Sequence, residues 1–125
     1  MDMLQEIQKV RQIPNEPFRR WFNDKNSDLI IWEDDERAIC GFQFCFSKGQ
    51  TEKSLTWKKG KGFQQALVES GESELHKHKT TPFLMVNTNF DFSNIVELFK
   101  FRDRELESRI SQFVVAKMQD YLKKS

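Results

Sequence analysis

The two histidines, His76 and His78, stand in the run HKHK and are the first residues to weigh for chemistry. In extended backbone, residues two apart point the same way, so both imidazoles can face one metal ion. Glu72 or Glu74 can add a third ligand, but no recognised zinc spacing surrounds them, and a zinc site needs three or four protein ligands. His78 with Glu72 can instead form an acid–base pair, with Lys79 beside it to hold an anion. Such a pair must sit within about 3 Å of the proton it moves. Cys45, Ser47 and Thr56 are conceivable nucleophiles, yet none lies in a GxSxG elbow. The plain reading is a solvated loop of mixed charge, so we expect no catalytic residue, no metal and no cofactor. A small hydrolase-like enzyme built on His78, Glu72 and Lys79 is the alternative.

A second group of residues raises nucleic acid. Residues 48–79 hold seven lysines against four glutamates, with Trp57 and Phe63 among them. Basic side chains interleaved with rings can hold single strands, the rings stacking bases and the lysines meeting phosphates. Five strands also permit an OB-like barrel. Two facts weigh against this reading. The rings share strand parity with Leu55 and Leu67, which makes them core. Residues 24–36 also carry six acids against one lysine, and phosphate affinity needs a larger positive excess. The KGKG run at residues 59–62 lacks the spacing of a phosphate loop and reads as a lysine-bearing hairpin turn.

The element that positions any site is the run DLIIWEDDERAICGFQFCFS at residues 28–47. Leu29, Ile30, Ile31 and Trp32 suit a pleated, half-buried surface, and the acidic residues 34–36 break the run as a turn. Ala38, Cys40, Phe42, Phe44 and Phe46 share one parity and hence one face, which we expect to meet the core. The other parity is mixed, and Gly41 marks a bulge or a close approach. In simple register with neighbouring strands, Trp32, Gln43, Cys45 and Thr56 project together from the mixed face. An aromatic ring among amide and hydroxyl groups suits a small ligand or a protein partner. These four, with His78, are the candidate binding residues. The competing reading is a second, smaller core beneath residues 1–22.

The remaining chain completes a sheet and a helical cover. Met3, Leu4, Ile7 and Val10 have helical spacing, so residues 2–12 are expected to form a short helix, ended by Pro14 and Pro17. FRRWF at residues 18–22 reads as a short extended segment with its rings under the sheet. Residues 53–58 and 62–68 are strands, and FLMV at residues 83–86 is a buried fifth. Ser93 is a candidate cap for a helix carrying Ile95, Leu98 and Phe99. Asp103 is the candidate cap for a second, whose stripe runs through Leu106, Ile110, Phe113, Val114, Met118, Tyr121 and Leu122. That stripe is expected to cover Phe42, Phe44 and Phe46.

Composition bounds the class. The chain has 125 residues, 38% hydrophobic and 31% charged, which suits one soluble domain. A net charge of +1 gives no global field for nucleic acid or membrane. No apolar run reaches the roughly 18–20 residues of a membrane span, and the first dozen residues lack a signal peptide's apolar stretch, so a cytoplasmic location is expected. Cys40 and Cys45 lie five extended residues apart, about 16 Å, well beyond disulfide reach.

The segments RRWF (residues 19–22), DLIIW (28–32), GFQFCFSK (41–48), EKSLTW (52–57) and HKTTPFL (78–84) together resemble a family of small, uncharacterised bacterial proteins. The resemblance spans roughly residues 18–92 and carries no activity and no functional residues. The expectation is therefore an α+β single domain, residues 1–125. A five-stranded, mainly antiparallel curved meander packs on C-terminal helices, with a short N-terminal helix. Its expected function is non-enzymatic: binding an unspecified small molecule or protein, without membrane attachment.

Overall fold

The computed structural model describes residues 3–46, 52–68 and 92–124. Six strands follow in chain order: β1 (Gln5–Glu6), β2 (Phe18–Asn23), β3 (Ser27–Glu33), β4 (Ile39–Phe46), β5 (Glu52–Lys58) and β6 (Gly62–Val68). Two helices follow, α1 (Ile95–Lys100) and α2 (Ser108–Lys124). Each strand pairs antiparallel with the next, giving one sheet in the order β1-β2-β3-β4-β5-β6. The chain is thus α+β and the sheet a meander, as expected, with six described strands rather than five.

Alternation decides which side chains meet the helices. Across β3, β4 and β5, Leu29, Phe44 and Leu55 are direct neighbours, as are Ile31, Phe42 and Trp57. All of these but Trp57 are fully buried. The helices close over this face. Phe44 meets Phe99 of α1 edge-on at 5.5 Å, Trp57 packs on Phe113 of α2 at 5.5 Å, and Phe63 on Tyr121 at 5.1 Å. Ile110, Val114 and Met118, one turn apart along α2, are wholly buried, the stripe expected of a helix laid on a sheet.

Four expectations change. Residues 2–12 are not a helix. Gln5 and Glu6 pair with Asn23 and Phe22, and of the four apolar residues only Leu4 is fully buried. The FRRWF segment is a full strand, so its rings go to opposite sides: Phe22 is core, Trp21 is half-buried on the far face, and Phe18 is 53% exposed. Within β4 the parity breaks. Trp32 opposes Gly41 but Glu33 opposes Ile39, so Cys40 is the extra residue of a bulge. Ile39 therefore turns inward and Ala38 outward. Finally, Asn94 rather than Ser93 occupies the α1 N-cap position, and α2 begins five residues beyond Asp103. The Asp103 carboxylate accepts the Ser111 hydroxyl instead. The strand expected at residues 83–86 lies outside the described residues.

Candidate functional site

The face opposite the helices is ruled into rows by the register. One row reads Trp21, Ile30, Gln43, Thr56 and Gln64; the next reads Arg19, Trp32, Gly41, Lys58 and Gly62. Both join residues from five strands, so the face is set by sheet geometry rather than by loops. Trp32, Gln43, Cys45 and Thr56 do share this face, as expected, and the pairs Gln43–Thr56 and Cys45–Ser54 are direct cross-strand neighbours.

Gly41 determines how Trp32 lies. A Cβ on Gly41 would stand 3.0 Å from the Trp57 carbonyl oxygen and 3.1 Å from Cε3 of Trp32. The indole therefore rests against the bare backbone of β4, the arrangement in which a ring covers a strand glycine. From the other side Lys58 reaches back across Gly41 and sets its ammonium 4.9 Å from the indole centroid, a cation–π contact.

The adjoining row is polar and internally bonded. Thr56 Oγ1 donates to Gln43 Oε1 at 3.1 Å, and Gln43 Nε2 donates to Cys45 Sγ at 3.4 Å. Trp21 Nε1 donates to Asp28 Oδ1 at 3.1 Å. These bonds fix rotamers, so the groups are held in place before any partner arrives. Burial grades along the face. Cys45, Ser54 and Ala66, a row at one end, are buried; in the two rows beyond it Trp32, Gln43 and Thr56 are half-buried and Lys58 and Gln64 are exposed. Both cysteines are free thiols. Burial, helped by the Asp34 charge, pushes the Cys40 thiol up, which keeps it protonated and a poor nucleophile. Cys45 is buried and likewise unsuited to attack on a substrate.

Sequence reasoning missed an ion cluster on the helix-facing side. Arg20 grips Glu6 with two bonds, 2.8 and 2.9 Å, reaches Glu107 at 2.9 Å, and lies 3.5 Å from Glu33. Arg109 bonds Glu33 at 2.7 Å and the Arg37 carbonyl at 3.0 Å. Glu33 is buried, so it needs these cations. The bond to Glu6 holds the Arg20 guanidinium well above its usual range, and the bond from Arg20 lowers the Glu107 carboxyl. The cluster ties β1, β2, β3 and the start of α2 together, so its geometry is that of a structural clasp.

Trp57 and Phe63, the rings weighed for base stacking, face the helices and pack on the core. His76, His78, Glu72, Glu74, Lys79 and Ser47 lie outside the described residues. Among the described residues no group of three or more His, Cys, Asp or Glu is placed to hold a metal ion, and no helix is long and apolar enough to cross a membrane. An open depression of about 230 Å³ lies on the outer side of the helices between Lys100, Ser111, Gln112, Val115, Ala116 and Gln119. None of Trp32, Gln43, Cys45 and Thr56 lines it. No protein-family model matches the chain, and neither curated proteins nor solved structures contain a significant match.

Proposed function

We propose that the protein is a non-enzymatic binding module whose working surface is the far face of the sheet, centred on Trp32, Gln43 and Thr56, and whose partner is another protein. One observation carries this reading. The helices complete the core on one side, while the opposite side groups two tryptophans, an isoleucine and pre-bonded amide and hydroxyl groups at half burial. Aromatic anchors ringed by polar groups are what protein interfaces use for most of their binding energy. The face is also assembled across five strands, which gives it the stiffness that limits ordering costs on binding.

The test is photo-crosslinking in the native host from two positions. Gln64 is exposed on the far face, and Gln112 is exposed on the outer side of α2. A photo-reactive residue at position 64 should give a discrete protein adduct, and Trp32→Ala or Thr56→Arg should reduce it at least tenfold. The same residue at position 112 should give none. Adducts that are equal from both positions, or indifferent to those substitutions, would remove the reading. A metabolite that raises Tm only when Trp32 is present, without a protein adduct, would turn it into a small-ligand site.

A further inference from the structure

The outer edge of β2 is covered in pieces. Gln5 and Glu6 pair with Asn23 and Phe22, and the Ile7 N–H donates to the Trp21 carbonyl at 2.8 Å. Cover resumes at Gln12, and there a side chain does the work of a strand. Its Oε1 accepts the Arg19 N–H at 2.8 Å and its Nε2 donates to the Arg19 carbonyl at 2.8 Å. One carboxamide thus makes both bonds that a neighbouring strand would make. Between these points Lys9 adopts φ 59°, and Asn15 follows at φ 69°, left-handed conformations that L-residues adopt at a cost. Most of residues 8–18 are exposed. The strap is held at both ends: at its start Leu4 is wholly buried, donates its N–H to the Arg102 carbonyl at 3.0 Å and is followed by Glu6 on Arg20, and beside Gln12 the Arg11 carbonyl accepts the Arg19 guanidinium at 2.7 Å.

We propose that the β2 edge is a strand-addition site for an extended peptide of a partner protein, and that residues 3–12 are its built-in competitor. An added strand would replace the broken cover with a continuous ladder, and its alternate side chains would set specificity. The chemistry of the site names those side chains. An apolar residue takes the buried place of Leu4. Two positions on, a carboxylate takes the place of Glu6 on Arg20, whose guanidinium side chain is only 16% exposed. The recognised pattern is therefore apolar–any–acidic, the pattern of Leu4-Gln5-Glu6. Exchange of strap for peptide swaps like contacts for like, so the intramolecular strap wins by its effective concentration, in the millimolar range for short flexible tethers. Anything that loosens the strap opens the edge. This site is separate from the far face and does not depend on it.

The probe is a fluorescein-labelled peptide of residues 3–12, MLQEIQKVRQ, added to the full chain and followed by anisotropy. The wild type should bind it weakly. A chain carrying Glu6→Gln and Gln12→Ala should bind it at least tenfold more tightly while keeping its native circular dichroism. The same peptide with Glu6→Lys should lose at least tenfold on that chain. A cross-link made through Gln5→Cys and Asn23→Cys, directly opposite in register, should abolish binding when oxidised and restore it when reduced. A folded strap-weakened chain that binds no better than wild type would overturn the proposal. So would indifference to the lysine substitution, or self-association in place of peptide binding.

Discussion

At the residue scale, Gly41 is the position where the far face is decided. Its backbone geometry needs no special conformation; what it supplies is space. A methyl group there meets a backbone carbonyl and an indole, both tighter than ordinary contact, and the carbonyl cannot swing away as a flexible side chain would. Gly41→Ala should therefore destabilise the protein by about 1–3 kcal/mol, the usual cost of overpacking. It should also displace Trp32 enough to change its fluorescence. Equilibrium urea denaturation followed by tryptophan emission checks both. The glycine was visible in the sequence as a break in an aromatic strand. That the indole of Trp32 and the ammonium of Lys58 both converge on it was not, because those residues belong to other strands.

At the scale of elements, the β3–β4 turn shows how far local pattern reaches. The alternation of Phe42, Phe44 and Phe46 was readable because a period of two is a local property of the backbone. Its extension to Ala38 and Cys40 failed because a bulge adds one residue, and a bulge is set by pairing with Trp32 and Glu33 rather than by the run itself. The apolar spacing of residues 3–10 misled for the same reason. Pairing with β2 overrides a weak helical period, and the prolines at 14 and 17 leave too little chain for a stable helix. The turn also carries strain. Arg37 has φ 65°, in the region where a side chain costs roughly 1–2 kcal/mol. The bond from Arg109 goes to its carbonyl, so the side chain is dispensable. Arg37→Gly should stabilise the protein by about 0.5–1 kcal/mol after allowing for the freedom glycine adds to the unfolded chain, read as a higher urea midpoint with unchanged slope.

At the scale of the whole molecule, the clasp around Arg20 joins residues as far apart as 20 and 107. Such a cluster has no sequence signature, since its members come from four separate stretches of the chain, residues 6, 20, 33 and 107–109. Its pH behaviour follows from Glu107, whose folded carboxyl is lowered by the bond from Arg20. A depressed carboxyl contributes stability that is fully present above its unfolded value, about 4.3, and is lost as pH falls through the folded value. Glu107 is half-exposed, so solvent screens the effect and salt should weaken it. The urea midpoints of wild type and Glu107→Gln should accordingly differ at pH 6 and converge as pH falls below about 4. Added salt should narrow the difference at pH 6.

A binding role for the far face requires that the two faces of one sheet do different work, and neighbouring residues of the same type allow that to be measured directly. Ile31 is wholly buried under the helices, whereas Ile30, next in the chain, is half-buried on the far face. Urea denaturation of Ile31→Gln and Ile30→Gln separates the roles. Ile31→Gln should cost about 3–5 kcal/mol through lost packing and a buried amide, and Ile30→Gln under about 1 kcal/mol, as at a surface. Equal, large losses at both positions would make the far face a second core and contradict the assignment of a binding surface to it.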